Sequence, residues 1–544
     1  MTRLPQDDPT PDELVAGEDP TPPDVRAGGT AEVAPAAAEP APQEVREVET
    51  KLRVHGLFKL PELTEAEGVA QVIPQTTREL NAVYHDTSDL ALFRWGVTLR
   101  RRTGGPDEGW HMKLPVDGAS EGVRDELRVS LEEGEVGQVP HALRDVVTAY
   151  VRGADLVPVV RLRTVRSPYV LYDAEGVAFA ELVDDRVSIY DGDDVVSMFR
   201  ELEVEALVDG ADLSGPVDLL LSLGATPSKS SKAASALGPA AAEPADIPKQ
   251  ERVTPAEPAG DAVTAYLRKH ARAFLNQDVR VRRDLPDAVH QMRVAARRLR
   301  SGLKTFGPLV DREWADALRE ELAWAAGELG NARDTEVLLG RLDKHADDLG
   351  ERQAALIRGV MDPVLRARLA GARDHALAAM RSKRHADLLA TLVDAAVDPR
   401  LTPLAEQPCS EVLPPLVDKS WKRLRRSVRT LDLEGPAESW HAARIAAKRA
   451  RYAAGAVIPV FGEPAETLED ALSEVTEVLG EHQDACVAQD VISEIAEQPD
   501  VDGATGFALG LLHQHEFEEE LHNRILFGDI WKRTVRVYKH TELE

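Results

Sequence analysis

The spacing of apolar residues changes once along this 544-residue chain, and the change divides the chain in two. Before about residue 237, short runs alternate apolar and polar residues between Gly, Pro and Asp, as from Val97 to Arg102, which is typical of strands joined by hairpins. After about residue 259, long stretches rich in Ala, Leu, Arg and Glu follow helical spacing. A chain of this length also exceeds what one hydrophobic core usually supports. The sequence therefore predicts a domain of antiparallel strands followed by an all-α domain.

Two segments of low complexity border the strand domain. Residues 1–43 are rich in Pro, Ala, Asp and Glu and almost lack aromatics, which predicts a disordered tail. A second stretch, from Ala236 to Pro258, is rich in Ala, Pro and Ser and predicts an exposed linker. The expected boundaries are therefore 44–237 for the strand domain, 238–258 for the linker and 259–540 for the helical domain.

The helical part contains an internal repeat. The segment PDAVHQMRVAARRLRS resembles ESWHAARIAAKRARYA, and LGNARDTEV resembles LGEHQDACV. His290, Arg293 and Arg297 each have a counterpart 151 positions later, in His441, Arg444 and Lys448. This repeat predicts two related helical bundles in tandem, over about 259–400 and 411–540.

The overall charge limits the partners that the chain can bind. A net charge of −29 argues against a protein that coats nucleic acid or membrane with its whole surface, because both are polyanions. Any anion site must therefore be local. Cys409 and Cys486 are the only cysteines, which fits a reducing compartment, and we expect a cytoplasmic protein. No stretch resembles a signal peptide or a membrane span, so neither export nor a membrane partner is expected.

Acidic side chains alternate along two segments of the strand domain. Glu47, Glu49 and Lys51 occupy every second position, so in a strand they project from one face. The run from Glu201 to Glu205 repeats the pattern. Basic and mixed pairs follow the same alternation elsewhere: Arg100 with Arg102, His111 with Lys113, Arg124 with Glu126 and Arg128, Arg161 with Arg163, and Glu181 with Asp185.

Solvated strand faces are one explanation of these alternating charges. A closed barrel with the charges inside is the other, and there the charges must pair or bind a matching ligand because their desolvation is costly. A divalent metal with a polyphosphate matches both signs. Carboxylate oxygens suit Mg²⁺ or Mn²⁺, and Arg and Lys neutralise phosphate. We favour the second explanation because charges of both signs recur on strand after strand.

The segment from about Glu44 to Leu237 resembles CYTH domains, the triphosphate tunnel metalloenzymes. The resemblance rests on ExExK at Glu47, Glu49 and Lys51, on VYHDT with Tyr84, Asp86 and Thr87, on the LRRR run, on the later charged pairs and on the ExExE strand. It implies an antiparallel β-barrel tunnel that hydrolyses triphosphate with a divalent metal, Mg²⁺ or Mn²⁺. Inorganic triphosphate is the favoured substrate, since no further motif for a nucleobase is evident.

The resemblance also implies roles for individual residues. The metal ligands are expected to be Glu47, Glu49, Asp185, Glu201, Glu203 and Glu205. The substrate is expected to contact Lys51, Arg100, Arg102, Lys113, Arg124, Arg161, Arg163 and Lys232, with Lys229 competing for the place of Lys232. Catalysis is assigned to Glu47, Glu49, Lys51, Glu203 and Glu205, which would surround a metal-positioned water, without a protein nucleophile.

Basic residues form a stripe on one helix of each repeat. His290, Arg293, Arg297, Arg300 and Lys304 share one face of the first helix, and His441, Arg444, Lys448, Arg451 and Tyr452 share one face of its counterpart. Such a stripe is most often a solvated face. Here both stripes lack Asp and Glu although the chain is acidic, so we predict a cleft that binds a linear polyanion. Arg298, Arg333 and Arg449 are included in this predicted polyphosphate site.

Residues from about Asp261 to Val537 resemble the CHAD domain, on the HxxRVAARRLR and LGxxxD motifs. The resemblance implies binding of inorganic polyphosphate and association with polyphosphate granules. A metal site at the histidines is the less favoured reading, because each repeat has one His without a second close ligand. Asp334 and Asp484 are expected to orient the basic side chains.

Three functions follow from these patterns. A triphosphatase whose CHAD domain binds polyphosphate is favoured, because the acidic positions that chemistry needs are all present. A protein that binds polyphosphate without turnover is the alternative. Binding of RNA or DNA is not expected, since no aromatic platform is interleaved with the arginines.

Overall fold

The computed structural model describes residues 42–116, 118, 122–228, 230–249 and 252–543. The predicted tail, up to residue 41, and Lys229 lie outside the described residues. Ten strands are present: β1 Gln43–Val54, β2 Gln71–Pro74, β3 Arg78–Asp86, β4 Thr98–Thr103, β5 Gly109–Pro115, β6 Val123–Val129, β7 Val157–Tyr172, β8 Ala178–Asp191, β9 Asp194–Ala206 and β10 Thr226–Pro227.

Eight of these strands close into an antiparallel barrel, which confirms the predicted fold of this part. The order around the barrel is β1-β6-β5-β4-β3-β7-β8-β9, and pairing of β1 with β9 completes the ring. β2 pairs with β7 and β10 with β1, outside the ring. Five short helices accompany the strands: α1 Ala91–Arg94, α2 His141–Val146, α3 Thr148–Val151, α4 Ser214–Ser222 and α5 Lys232–Leu237.

The alternation of side chains on β1 and β9 separates an apolar outer face from a charged inner face. Leu52, Leu202 and Val204 are fully buried on the outside, where they pack with Leu220 of α4. Their charged neighbours therefore point into the barrel. Glu49 pairs with Glu205 in the register and Lys51 with Glu203, so acids from both strands meet there.

The motif VYHDT shapes the chain next to the barrel. Asp86 is fully buried, and its carboxylate accepts hydrogen bonds from the backbone N–H groups of Leu92 (2.8 Å) and Phe93 (2.9 Å) in α1. Burial of such a carboxylate is tolerated because backbone donors satisfy it. Asp86 and Thr87 therefore fix a turn, and the motif contributes only Tyr84 to the barrel interior.

The second half of the chain is helical, as predicted. Its helices are α6 Ala259–Arg282, α7 Ala288–Thr305, α8 Arg312–Glu328, α9 Gly330–Asp348, α10 Glu351–Met380, α11 Lys383–Val397, α12 Cys409–Val428, α13 Ala437–Phe461, α14 Glu463–Ala496 and α15 Gly503–His540. Helices from both repeat halves share a core, as where Leu342 and Ile357 pack with Ile492 and Leu509. Within the described residues, every helix is too short or too polar to cross a bilayer.

The barrel and the helices are joined by a buried interface. Arg283, the residue after α6, bonds Asp125 of β6 (2.6 Å), and Trp95 and Tyr150 stack at 4.7 Å beside the helical region. Ile247, in the segment predicted to be an exposed linker, is fully buried in this core, and so is most of Val253. The prediction of exposure is wrong there, because the isolated apolar residues of this Ala- and Pro-rich segment pack against the core between the barrel and the helices.

Candidate active site

The barrel interior encloses a cavity of about 250 Å³ with charged walls. Its lining includes Glu47, Glu49, Lys51, Arg78, Tyr84, Arg100, Arg102, Lys113, Arg128, Arg166, Glu181, Glu203, Glu205 and Lys232. All eight strands of the ring contribute to this set, and Lys232 enters from the start of α5. A lumen of this composition is costly to desolvate, so it folds only because charges of opposite sign lie side by side.

Lys232 occupies the centre of the acidic wall. Its Nζ lies 3.0 Å from Asp185 Oδ2, 2.8 Å from Glu201 Oε1 and 2.7 Å from Glu203 Oε1. Burial alone would lower the pKa of Lys232, but these three carboxylates raise it well above its usual value. The pKa of Glu203 would rise through burial, and the charges of Lys232, Lys51 and Arg166 instead lower it well below its usual value.

At Glu205, the nearby charge of Lys113 does not offset the effect of burial. Burial, together with the charges of Glu47 and Glu49, raises the pKa of Glu205 to about 7. Within the described part of the chain, Glu205 forms no ion pair with a Lys or Arg side chain. An acid that faces two other acids, without a cation of its own, is a place where an added cation gains most electrostatic energy.

The donor set fits a hard divalent cation. Glu47, Glu49, Glu203 and Glu205 offer only carboxylate oxygens, and Mg²⁺ and Mn²⁺ prefer oxygen ligands. Burial also raises the pKa of Glu47, although Lys113 forms an ion pair with it. These residues could therefore hold a metal ion, while Asp185 and Glu201 are neutralised by Lys232 and lie beside it.

The opposite side of the cavity is basic. Arg100 lies 3.7 Å from Glu126 and donates to the hydroxyl of Tyr84 (3.4 Å). Lys113 lies 3.7 Å from Glu49, so it borders the acidic wall. Burial, together with the charges of Arg100 and Arg166, lowers the pKa of Arg102 to about 9. An anion that bridges these side chains would relieve their mutual repulsion, as a phosphate chain does.

The basic stripes of α7 and α13 face each other in the helical region. The guanidinium of Arg297 lies 5.4 Å from the ring centroid of Tyr452. Burial and the charges of Arg444, Arg297 and Arg293 lower the pKa of Lys448 to about 7. Burial contributes most to this lowering, and the cations gathered between the two helices add to it.

Both halves of the chain match models of known protein domains. Residues 45–213 match the model of the CYTH domain and residues 265–493 that of the CHAD domain. A protein of Mycobacterium tuberculosis (strain CDC 1551 / Oshkosh), uncharacterized protein MT2285, is 35% identical over 512 residues, which cover 88% of this chain and 94% of the relative. The chain is a CYTH–CHAD protein.

Two solved structures are similar to about half of this chain. PptA from Streptomyces chartreusis is 29% identical with a TM-score of 0.45, over 51% of this chain and 100% of that one. The CHAD domain from the plant Ricinus communis is 25% identical with a TM-score of 0.42, over 52% of this chain and 94% of that one.

Two of the basic residues expected to bind substrate lie outside the CYTH lumen. Arg161 pairs with the exposed Asp193, and Arg163 pairs with Glu79 on the outer face of the barrel. Their side chains are 51% and 45% exposed. The assignment of Arg161 and Arg163 is therefore wrong, because the inward positions of β7 are the intervening Leu162 and Thr164 and then Arg166.

Arg166 is a lumen arginine that was not among the predicted site residues. Its guanidinium lies 2.7 Å from Asp185 Oδ2 and 3.1 Å from Glu203 Oε2. Arg78 and Arg128 also line the cavity. Arg166 has the same phase as Leu162 and Thr164, but a leucine by itself does not mark the inner face, since Leu52 and Leu202 lie on the outer face.

The remaining residues predicted for the CYTH site lie in the lumen or next to it. Arg124 is near one end of the lumen, where its Nη1 donates to the carbonyl oxygen of Gly96 (3.0 Å). His111 and Glu126 are buried and hydrogen-bonded to each other at 3.1 Å. Among the described residues, one cavity is shared by Glu47, Glu49, Lys51, Arg100, Arg102, Lys113, Glu203, Glu205 and Lys232. Their roles in metal or substrate binding stay predictions.

Several stripe residues of the CHAD domain already have acidic partners. Arg293 bonds Asp334 at 3.0 Å, Arg333 bonds Glu336 at 2.7 Å, and Arg451 bonds Glu469 at 2.6 Å. The contact with Asp334 agrees with its expected orienting role. His441 bonds Gln483 at 2.7 Å.

Lys304 and Arg449 belong to a second basic group. Burial lowers the pKa of both side chains, and the charges of Arg319 and Arg423 lower it further. Arg298 and Arg300 lie half-buried on α7, and the carbonyl oxygen of Arg298 accepts a hydrogen bond from Tyr266 (2.8 Å). The predicted stripe is thus two neighbouring groups, one around Arg297 and Lys448 and one around Lys304 and Arg449.

A cluster of metal-ligand types also occurs in the CHAD domain. His482, Cys486 and Glu520 have ligand atoms within 4.8 Å of one another. The guanidinium of Arg524 donates to His482 Nε2 (3.0 Å) and pairs with Glu520 (2.6 Å). Because a cation from the chain already bonds two of the three groups, this cluster is a structural network.

Proposed function

We propose that the CYTH domain hydrolyses triphosphate with the help of a divalent metal, and that the CHAD domain binds polyphosphate. The observation that carries the first part is Glu205, which forms no ion pair among the described residues and lies next to Glu47, Glu49 and Glu203 in a lumen whose other wall is basic. A metal ion and a phosphate chain together match these two walls. The observation that carries the second part is the convergence of cations between α7 and α13.

The chain's own residues would bind and orient the substrate. Arg100, Lys113 and Arg166 would contact phosphate oxygens and neutralise the charge that the leaving phosphate acquires. Because the cavity is enclosed by the barrel, bulk water is limited and these charges act more strongly than at a surface. A bound Mg²⁺ or Mn²⁺ would supply Lewis-acid chemistry and position the attacking water.

The lumen favours inorganic triphosphate over a nucleotide. Among the described residues that line the cavity, Tyr84 is the one aromatic side chain, and its hydroxyl is engaged by Arg100. A nucleobase would therefore find at most one aromatic ring among these lining residues. Charged groups for phosphate oxygens, by contrast, occur along the whole cavity.

The experiment measures phosphate release from inorganic triphosphate, ATP and long-chain polyphosphate with Mg²⁺ or Mn²⁺. The intact chain is compared with the double variant Glu47→Ala/Glu49→Ala. Glu79→Ala is the matched control, because Glu79 is a strand glutamate on the outer face of the same barrel. Metal-dependent release that only the double variant loses supports the proposal, and no release from any substrate contradicts it.

A polyphosphate-binding protein without turnover is the second candidate. The basic groups around Lys448 and around Lys304 favour it independently of the lumen. It predicts tight polyphosphate binding by the intact chain with no phosphate release. Competition between polyphosphate and RNA for the same chain separates phosphate recognition from nucleic-acid recognition. Association with polyphosphate granules in the cytoplasm remains a prediction that follows from the CHAD resemblance.

A further inference from the structure

Helix α15 carries an apolar face that points to solvent. Phe507, Phe517, Leu521 and Ile525 are 67%, 47%, 43% and 60% exposed. They lie on one side of the helix by their spacing, and we call this side, from Phe507 to Gly528, the α15 ridge. The buried side of the same helix packs in the core through Leu512 and Ile530, among others, so the ridge is a second apolar face.

Two glycines lie on the same ridge. Gly510 and Gly528 are exposed, and a side chain at either position would meet only open space. Glycine is unfavourable in the middle of a helix, and nothing within the described chain requires it at these two positions. The ridge therefore alternates large apolar side chains with positions where a large side chain could be received.

The order of large and small residues is self-complementary. When a second copy of α15 runs antiparallel with the two-fold axis between Phe517 and Glu518, Phe507 lies opposite Gly528 and Ile525 lies opposite Gly510. Each knob thus meets a hole, and the same contacts form twice, as in an isologous two-fold interface. The residues involved span about 32 Å of helix at 1.5 Å per residue.

The charges at the two ends of the helix favour the same arrangement. Asp500 and Asp502 precede the helix, whereas Lys532 and Arg536 lie near its end. Asp500, Lys532 and Arg536 are exposed. Antiparallel pairing brings the acidic start of one helix near the basic end of the other and opposes the two helix dipoles favourably.

We propose that this protein forms a two-fold homodimer through the α15 ridge. A second copy is the occupant that the pattern fits, because the large and small residues of the ridge and the charges at the two helix ends complement themselves about one axis. This interface goes beyond the proposed function. None of the residues assigned to the lumen or to polyphosphate lies on α15, so the ridge can be changed without touching either site.

The first test measures the molar mass of the intact chain by sedimentation equilibrium over a range of concentrations. We expect a dimer, whose dissociation constant rises roughly a hundredfold in Phe517→Glu, because two charges would be buried at the axis. Met198→Glu on the barrel is the matched control, since Met198 is 74% exposed. A monomeric intact chain, or a dimer that Phe517→Glu leaves unchanged, overturns the proposal.

Gly510→Leu separates dimerisation from folding. Leucine raises the helix propensity, so the monomer should not lose stability, while the new side chain blocks the position that Ile525 of the second copy would occupy. We expect unchanged or higher thermal stability and at least about tenfold weaker dimerisation. Dimerisation that survives this change contradicts the knob-and-hole geometry.

Disulfide trapping tests the position of the axis. In a Cys486→Ser background, Phe517→Cys should cross-link with itself under mild oxidation. Gly510→Cys and Ile525→Cys should each fail to cross-link alone and should form a mixed dimer when the two variants are combined. Cross-linking of Gly510→Cys with itself would place the axis elsewhere and would overturn the proposed register.

Discussion

The ammonium nitrogen of Lys232 lies 2.7 Å from Oε1 of Glu203, at the centre of the acidic wall of the barrel. The same nitrogen bonds Asp185 and Glu201, so one cation of the chain holds three buried carboxylates. A buried charge cluster of this kind is stable only while its signs balance. Lys232 therefore stabilises the folded lumen by neutralising carboxylates that a bound metal ion could also neutralise.

Removal of Lys232 should make the stability of the barrel depend on metal. In EDTA, Lys232→Met should lower the free energy of unfolding by about 3 kcal/mol, because three buried carboxylates lose their shared cation. Millimolar Mg²⁺ or Mn²⁺ should restore about 2 kcal/mol if it binds these carboxylates and not the unfolded chain. Denaturant unfolding with and without metal measures both effects.

The control for Lys232 is Lys383→Met, which removes an exposed lysine paired with Asp387 (2.7 Å). Exposed pairs contribute little to stability, so this variant should change the free energy of unfolding by less than about 0.5 kcal/mol. An equal loss for Lys232→Met in EDTA and in metal would show that the carboxylates are not metal ligands.

Metal binding should release a proton at acidic pH. Because the pKa of Glu205 is raised to about 7, its carboxyl is largely protonated at pH 6 and must ionise to bind a cation. The metal affinity should therefore rise by up to about tenfold per pH unit below pH 7 and level off above it. Calorimetry in buffers of different ionisation enthalpy counts the protons released.

Glu205→Gln should abolish that proton release at pH 6 and weaken metal binding at pH 8. Glu79→Gln, on the outer face of the barrel, should change neither quantity. A release of the same number of protons from Glu205→Gln as from the intact chain would assign the titrating group to another residue.

Polyphosphate affinity should fall as the pH rises through neutrality. Burial and three neighbouring arginines lower the pKa of Lys448 to about 7, so its positive charge is lost between about pH 6 and pH 8 in the free protein. A bound polyanion favours the charged form, and the affinity should therefore decrease over this interval. Filter binding of long-chain polyphosphate at fixed ionic strength measures the decrease.

Lys448→Arg should remove this pH dependence, because arginine stays charged over the whole interval. Lys422→Arg is the control, since Lys422 is an exposed lysine of α12 that pairs with Asp418 at 2.5 Å. An unchanged pH profile in Lys448→Arg would contradict the role of Lys448 in polyphosphate binding.

The sequence predicted the lumen well where the apolar phase of a strand is clear. On β1 and β9, Leu52, Leu202 and Val204 leave no doubt about the outer face, so the glutamates between them must face inward. On β7, arginines occur in both phases. Charge alone then could not say which of Arg161, Arg163 and Arg166 enters the barrel.

Features that depend on distant packing could not be predicted. Ile247 is buried because the barrel wall and α6 provide a surface for it, and the low complexity of its segment gives no sign of that. The pairs between stripe residues and acids from other helices, such as Arg451 with Glu469, likewise follow from how the helices pack. The repeat predicted which helices carry the cations, but it did not predict which of these cations form ion pairs with acidic residues of the protein.

The last prediction compares two arginines of one strand that differ in the face they occupy. Arg166 contacts Asp185 and Glu203 inside the lumen, whereas Arg161 is half-exposed on the outer face. Arg166→Ala should raise the KM for inorganic triphosphate by at least about tenfold, because one charge-assisted contact to phosphate contributes about 1.5–3 kcal/mol. Arg161→Ala should change KM by less than about twofold.

Arg166→Lys distinguishes binding from packing in the same assay. Lysine keeps the charge beside Asp185 and Glu203, so the barrel should remain stable, while the paired contacts of the guanidinium with a phosphate are lost. We expect a KM between those of the intact chain and Arg166→Ala, with unfolding close to that of the intact chain. If Arg161→Ala instead raised KM as much as Arg166→Ala, substrate would have to reach the outer face of β7. That result would contradict the assignment of the lumen as the active site.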